Sequence, residues 1–331
     1  MKKSVWIAMG LMLFALSIPF QASSAPYPED GRNIRFIIPF GPGGGMDLYP
    51  RSLLPFLKQY LPWKKGEIVP ENLDTAAGVT GSREIFFSKP DGYTIGVVFT
   101  RSLLTPQLLG QVAKFDISKF TYLGQFVNEP SVVFTSAKHP FLKSFSDMRN
   151  PPRTMTYGLS SVGEIVTYWA LKERAKLNIK PIMGFKGTKE SQMAILRGEV
   201  DFTTTGFSTT ASLYKSGDMK PIFHFGEKSL REDPSVPGVK ELGLKEFAGM
   251  VGTDRTIVGP PDMPKERVEI LRQAVWKAMN DPKFVELSEK AGRFLDAQNG
   301  EDSRKISSDI INYWMKNEEG VKQAMVEAGF K

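Results

Sequence analysis

Apolar residues follow two different spacings along this chain. Residues 34–40 (IRFIIPF) form a nearly continuous apolar run, as expected for a strand buried on both faces. Residues 48–60 instead place their apolar side chains at a helix-like spacing. The same criteria predict further strands at residues 93–99, 120–136, 155–157, 182–183, 200–204 and 221–225. They predict further helices at residues 78–88, 165–176 and 189–197.

The C-terminal portion is mostly helical by these criteria. Asp281 and Pro282 have the pattern of an N-cap followed by proline in the first helical position, and Gly292 has that of a helix stop. Repeated strand–helix alternation predicts an α/β fold, with mostly parallel sheets flanked by helices. Two such series, separated near residues 150–152, indicate two lobes.

The first segment predicts export. Lys2 and Lys3 precede an uncharged apolar run over residues 5–20, and small residues follow it. This is the pattern of a secretory signal peptide over residues 1–24, with cleavage expected between Ser24 and Ala25. The alternative is an uncleaved N-terminal anchor. Cleavage predicts a protein of the periplasm of a Gram-negative-type bacterium.

Composition narrows the chemistry. The 331 residues include no Cys and two His, with 43 Lys and Arg against 36 Asp and Glu. The lack of Cys excludes a disulfide scaffold, a thiolate zinc site, an iron–sulfur cluster and a cysteine nucleophile. His139 precedes a proline and His224 lies between two phenylalanines, so we expect neither to be catalytic. No Lys/Arg run resembles a nucleic-acid patch, and we expect neither a nucleic-acid partner nor a cofactor.

The most informative segment joins the first predicted strand to the first predicted helix, at residues 41–47 (GPGGGMD). Glycines let backbone amides point into the crevice above the strand ends, and a helix N-terminus offers unpaired N–H donors. Together they favour an anion site, with positive φ expected at Gly44 and Asp47 capping the helix. Nucleotide motifs do not match, because Met46 replaces a fingerprint glycine and no P-loop Lys follows. The alternative is a tight turn without a ligand.

Three more donor-rich turns lie at residues 75–81 (TAAGVTG), 158–163 (GLSSVG) and 203–210 (TTTGFSTT). The spacing in 158–163 has one residue too many for a nucleophile elbow, so we interpret Ser160 and Ser161 as hydrogen-bond donors. The alternative is that they cap a helix beginning near Val162. Ligands in open α/β sheets bind beyond the carboxyl ends of strands, so these turns predict a polar binding cleft.

These segments resemble the Bug (Bordetella uptake gene) family, the solute receptors of tripartite tricarboxylate transporters. The resemblance covers nearly all of the mature chain. It rests on residues 34–51 (IRFIIPFGPGGGMDLYPR), 69–82, 90–94 (PDGYT), 158–163, 185–187 (FKG) and 198–201 (GEVD). The chain departs from the family at residues 72–75, where Asn-x-x-Gly is usual, and at Phe185, where Tyr is usual.

The resemblance implies a two-lobed periplasmic-binding-protein fold of type II, with residues 25–128 and 248–331 in one lobe and 129–247 in the other. It implies a non-enzymatic receptor that captures a mono-, di- or tricarboxylate between the lobes and delivers it to integral membrane transporter subunits. We expect a monomer.

The family's ligand contacts can be carried over residue by residue. Those of the first two turns fall on Phe40, Gly43, Gly44, Gly45, Asp47 and Gly78. Those of the second lobe fall on Ser160, Ser161, Gly163, Thr204, Thr205 and Gly206. Thr100 and Arg101 would extend the cleft, where Arg101 either pairs with a distal carboxylate or is solvated.

Two other hypotheses stay open. An exported enzyme acting on a small anion would use the first glycine turn as an oxyanion or phosphate site, although no base and nucleophile occur together. A ligand receptor for a membrane-bound sensor would use the same cleft as a transport receptor.

Overall fold

The computed structural model describes residues 26–75, 78–108, 115–160, 162–185 and 187–329. The predicted signal peptide, Ser161 and Lys186 therefore lie outside the described residues. Ten strands occur in the described part of the chain: β1 (Ile34–Ile38), β2 (Ile68–Asn72), β3 (Thr94–Val98), β4 (Thr121–Ser136), β5 (Met155–Gly158), β6 (Ile179–Ile182), β7 (Phe202–Gly206), β8 (Met219–His224), β9 (Gly252–Gly259) and β10 (Gln298–Asn299).

Eleven α-helices accompany these strands in the described ranges: α1 (Gly45–Tyr60), α2 (Val79–Phe86), α3 (Thr100–Leu108), α4 (Phe145–Arg149), α5 (Ile165–Trp169), α6 (Thr188–Leu196), α7 (Phe207–Lys215), α8 (Lys265–Met279), α9 (Pro282–Lys290), α10 (Gly300–Lys316) and α11 (Glu318–Glu327). A π-helical turn, Ala170–Arg174, continues α5, and a short 3₁₀ turn, Val162–Glu164, precedes it. None of the described helices is long and apolar enough to span a bilayer.

The strands form one curled sheet in the order β2-β1-β3-β9-β4-β7-β5-β6, with β8 and β10 also pairing with β4. The outer pairs β1–β2, β1–β3, β5–β6 and β5–β7 are parallel, as expected from strand–helix alternation. All neighbours of β4 are antiparallel to it. The predicted α/β class is confirmed, and the sheet is mixed because β4 runs through its middle.

Strand β4 connects two halves of the sheet. Its first part, Thr121 to Pro130, pairs with β9, and its second part, from Ser131, pairs with β7 and β8. A strand of 16 residues is long enough to belong to both halves. The division into two lobes at residues 128/129 and 247/248 stays a prediction.

The C-terminal helices contact both halves. Trp314 of α10 packs edge to face against Trp169 of α5, with ring centroids 5.7 Å apart. Helix α11 packs on α5, and Gly320 permits this because a Cβ there would lie 2.3 Å from Trp169 Nε1. The end of the chain, assigned to the first lobe from the sequence, therefore also contacts a helix of the second.

The predicted helix boundaries around α9 are confirmed. The Asp281 carboxylate accepts a hydrogen bond from Lys283 N–H at 2.8 Å, so it caps the helix that Pro282 begins. Gly292 follows with a φ of 64°, the left-handed conformation that glycine adopts without strain.

Candidate functional site

A cleft of about 690 Å³ lies between the two halves of the sheet. Half of the predicted site residues line it, from both halves: Phe40, Gly44, Arg101, Ser160, Gly163, Thr204 and Thr205. The turn Val162–Glu164 of the second half packs against α3 of the first, which closes one side of the cleft. The remaining described site residues, Gly43, Gly45, Asp47, Gly78, Thr100 and Gly206, are outside the lining.

Gly44 is the residue of the first glycine turn that lines the cleft. It is the N-cap of α1, with φ −81° and ψ 170°, an extended conformation open to any residue. The positive φ expected at Gly44 is therefore wrong, and the left-handed residue of this turn is Gly43, with φ 84°. In the described part of the chain, the N–H groups of Gly44 and Gly45 have no hydrogen-bond partner. These two amides are available to an anion.

Asp47 holds this turn in place through hydrogen bonds, without lining the cleft itself. Its carboxylate accepts hydrogen bonds from Gly43 N–H at 2.9 Å, Asn72 Nδ2 at 2.9 Å and Arg51 Nε at 2.5 Å. Burial opposes ionisation of Asp47, but these bonds together hold its pKa below the ordinary value. Asp47 lies at the third helical position and not at the N-cap, so the predicted capping role is wrong. Asp47 instead orients the turn, and Asn72 completes the link by donating to Phe40 O at 2.7 Å.

Gly78 and Gly45 provide space for larger side chains. Gly78 is left-handed, with φ 92°, and a Cβ on it would lie 2.8 Å from the ring of Phe40, which lines the cleft. A Cβ on Gly45 would lie 2.7 Å from the guanidinium of Arg255. Gly78 therefore acts on the cleft through Phe40, whereas Gly45 makes room for Arg255, which lies outside the lining.

The start of helix α3 is occupied by a carboxylate from the protein itself. Asp254 of β9 accepts the N–H groups of Thr100 and Arg101 and lies 3.2 Å from Arg101 Nη1. Arg101 also donates to Asn128 and to Gly249 O, and it is 5% exposed. The interpretation of Arg101 as a solvated side chain is wrong. Burial lowers its pKa and Asp254 opposes the shift, so its charge is largely balanced within the protein.

The second half contributes hydroxyl groups and one carboxylate. Ser160 donates both its N–H, at 3.0 Å, and its hydroxyl, at 2.5 Å, to Glu164. Both donors of Ser160 are thus used within the protein, and its predicted role as a donor to a ligand stays a prediction. A helical turn does begin at Val162, but the Ser160 hydroxyl donates to Glu164 and caps no described backbone N–H. Thr204 shares a hydrogen bond with Tyr157, and Thr205 lines the cleft beside it.

Gly206 follows Thr205 but lies outside the lining of the cleft. A Cβ there would lie 2.5 Å from the carboxylate of Glu129, which accepts from the N–H and hydroxyl of Ser208 at the start of α7. Gly206 therefore makes room for a carboxylate that caps α7 from the crossing strand β4.

Both histidines have structural partners. His139 Nδ1 accepts from Leu142 N–H, so its Nε2 carries the proton donated to Asp201 at 2.8 Å. His224 Nδ1 accepts from Gly226 N–H while Nε2 faces Lys228 O. Neither ring lines the cleft, and the described residues include no group of three metal-ligating side chains.

Several cleft residues were missed from the sequence: Phe99, Ser102, Ser131, Glu164, Val166, Thr167, Gly187, Thr188, Met250, Val251, Gly252 and Thr253. Thr188 follows the Phe-Lys-Gly segment and Glu164 follows the Ser-rich turn, so both lay beside recognised motifs. Residues 250–253 carried no motif, and only the pairing of β9 with β4 brings them to the cleft.

Comparison with known proteins identifies the class. The sequence profile described as "Tripartite tricarboxylate transporter family receptor" (TctC) matches residues 64–318. The chain belongs to this family and is a solute-binding receptor, which confirms the resemblance stated above.

Among individual relatives, a "UPF0065 protein in gbd 5'region" of Cupriavidus necator is 27% identical over 82% of this chain and 81% of its own length. The fold is similar to a TctC solute-binding protein from Polaromonas, with TM-score 0.75, 20% identity and coverage of 90% of this chain and 100% of the other. It is also similar to MatC of Rhodopseudomonas palustris with bound malate (TM-score 0.65, 18% identity, 90% and 99% coverage) and to a protein of that organism with adipate (0.67, 19%, 92% and 99%).

Proposed function

We propose that the mature chain is a periplasmic, non-enzymatic receptor that captures a small carboxylate in the cleft and delivers it to membrane transporter subunits. Membership of the receptor family supports delivery, and the malate and adipate held by two proteins of similar fold support a carboxylate ligand. The periplasmic location rests on the signal-peptide pattern of residues 1–24.

The observation that carries the proposal is the first glycine turn. Gly44 lines the cleft, and its N–H and that of Gly45 have no partner among the described residues. Amides at a helix N-terminus bind a carboxylate oxygen without the cost of burying a counter-charge. Asp47 supports the site because its carboxylate is already satisfied by Gly43, Asn72 and Arg51 and faces the turn.

An exported enzyme is the weaker candidate. The hydroxyl of Ser160 is bonded to Glu164, and both histidines lie outside the lining of the cleft. No described residue pair in the cleft combines a nucleophile with a histidine base.

The test is a thermal-shift screen of the mature protein with mono-, di- and tricarboxylates, followed by calorimetric titration of the best ligand into the parent, Gly44→Ala and Gly44→Val. A ligand that binds only the folded state raises the melting temperature. Because the backbone at Gly44 is extended and a Cβ there has no contact closer than 4.0 Å, both variants should fold.

We expect Gly44→Val to weaken binding about tenfold or more, since losing one charge-assisted hydrogen bond costs about 1.5–3 kcal/mol. The affinity of Gly44→Ala should lie between those of Gly44→Val and the parent. If no carboxylate shifts the melting temperature, the proposed function is wrong. If folded Gly44→Val binds like the parent, the anion site lies elsewhere in the cleft.

A further inference from the structure

Glu164 places a carboxylate in the wall of a cleft that is proposed to hold an organic acid. The residue is half-buried and lines the same cleft as Gly44 and Phe40, on the opposite half of the protein. Its oxygens accept two hydrogen bonds, one from Ser160 N–H and one from the Ser160 hydroxyl. A carboxylate has about four acceptor sites, so Glu164 retains capacity for a donor from a ligand.

No cation balances this carboxylate within the described ranges of the chain. The other charged residue in the lining, Arg101 on the facing helix α3, pairs with Asp254 at 3.2 Å. The neighbouring titratable groups are phenols: Tyr157 on β5 bonds to Thr204, and Tyr168 on α5 faces Glu327. Among the described residues, the second half therefore contributes one carboxylate and several hydroxyl groups to the lining, and no cation.

Burial raises the pKa of Glu164 to about 7, and the bonds from Ser160 oppose that rise. The group is thus ionised at pH 8 and mostly protonated at pH 6. Thr188, Thr204 and Thr205 add hydroxyl groups to the lining of the same cleft. An ionised ligand carboxylate placed there at pH 8 would face a like charge, whereas a hydroxyl or ammonium group would gain an acceptor.

We propose that Glu164 selects monocarboxylates whose far end carries a hydrogen-bond donor, a hydroxyl or an ammonium group, over dicarboxylates of the same length. This rests on the proposed function, with the ligand's carboxylate on the glycine turn and its donor on Glu164. This ligand preference would distinguish the chain from the two proteins of similar fold that hold dicarboxylates, malate and adipate.

The test is a matched ligand series titrated calorimetrically at pH 8. For straight chains of four, five and six carbons, it compares the ω-hydroxy acid, the ω-amino acid, the unsubstituted acid and the dicarboxylate. The proteins are the parent, Glu164→Gln and Glu199→Gln. Glutamine keeps the size of Glu164 and an acceptor for Ser160, while Glu199 is an exposed carboxylate outside the cleft, paired with Arg197.

We expect the parent to bind a donor-bearing acid at least tenfold more tightly than the dicarboxylate of equal length. Glu164→Gln should reduce this ratio at least tenfold, by weakening the amino acid and strengthening the dicarboxylate, and Glu199→Gln should leave it unchanged. In the parent, lowering the pH from 8 to 6 should strengthen dicarboxylate binding several-fold by neutralising Glu164. This pH dependence of the parent protein tests the proposal even if Glu164→Gln does not fold.

The proposal is overturned if the parent prefers dicarboxylates at pH 8, or if the ranking is the same in Glu164→Gln. Both outcomes leave the proposed function intact, because acids still bind. If none of the acids in this series or in the wider carboxylate screen binds, the proposed function fails and this inference fails with it.

Discussion

Asp47→Asn is the substitution that most directly tests how the glycine turn is held. The carboxylate accepts three hydrogen bonds, with Arg51 and Asn72 on one oxygen and Gly43 N–H on the other. An asparagine has one acceptor oxygen and one NH₂ group. Whichever way it is oriented, at least one donor then faces another donor, and the side chain is 2% exposed.

The magnitude follows from that mismatch. A buried donor left without a partner costs about 1–3 kcal/mol, and the bond from Arg51 also loses its charged acceptor. We expect a loss of about 2–4 kcal/mol in the free energy of unfolding. The single oxygen of Asn satisfies more donors when it faces Arg51 and Asn72, which leaves Gly43 N–H facing the NH₂ group. Because Gly43 is then no longer fixed, we also expect carboxylate binding to weaken about tenfold. A purely electrostatic role would give the opposite sign for binding, since the substitution removes a negative charge beside the proposed anion.

The assay combines urea denaturation with calorimetric titration of the same preparations. Asp147→Asn is the matched control, because that carboxylate also accepts backbone N–H groups at a helix start but is only half-buried, on α4 away from the cleft. It should cost about 1 kcal/mol or less and leave binding unchanged. A folded Asp47→Asn protein with parental stability and equal or tighter binding would refute the reasoning.

Two further substitutions separate stability from binding. Burial alone would raise the pKa of Asp201, but hydrogen bonds, the largest from Arg153, hold it well below its ordinary value. The stability that Asp201 contributes is therefore complete above its unfolded pKa near 3.8 and is lost as the pH falls below it. Asp201→Asn should cost about 3 kcal/mol at pH 7 and flatten the acid limb of the stability–pH curve, and an unchanged acid limb would contradict this assignment. Gly78→Ala should weaken both folding and binding through strain and displacement of Phe40, whereas Gly292→Ala, also at positive φ but with open space around it, should weaken folding alone. Equal binding by the two variants in calorimetry would show that the Phe40 ring does not shape the site.

Strands β1 and β3 were predictable because most of their side chains are buried, whereas the more exposed edge strand β2 was missed. Residues 34–40 read as a strand from their apolar run, and β1 occupies Ile34–Ile38. Strand β9 was missed because its sequence, GTDRTIVG, mixes charges with apolar residues. Asp254 is nevertheless 1% exposed, since Arg101 from a distant helix balances its charge. A buried ion pair of this kind leaves no periodic pattern in either segment.

In the glycine turn, too, contacts with distant residues decided details that the local sequence does not show. The sequence indicated that residues 41–47 would form a strand–helix turn with free amides, because a glycine-rich segment there joins a predicted strand to the N-terminus of a predicted helix. It assigned the positive φ to Gly44 and a capping role to Asp47, and both assignments were wrong. The difference arises because Asn72 and Arg51 draw the carboxylate toward Gly43, and Asn72 comes from a strand that only the parallel pairing of β1 and β2 places there.

By itself the sequence determined the α/β class, the order of most helices and strands, the family and the donor-rich turns. These follow from local composition and spacing, which act over a few residues. Only the tertiary structure decided which of those turns line one cleft, that Arg101 is balanced by Asp254, and that Glu164 is a carboxylate without a cationic partner among the described residues. Those properties depend on contacts between segments up to about 150 residues apart, joined by the crossing strand β4 and the return strand β9. Burial and charge compensation arise only when such segments pack together.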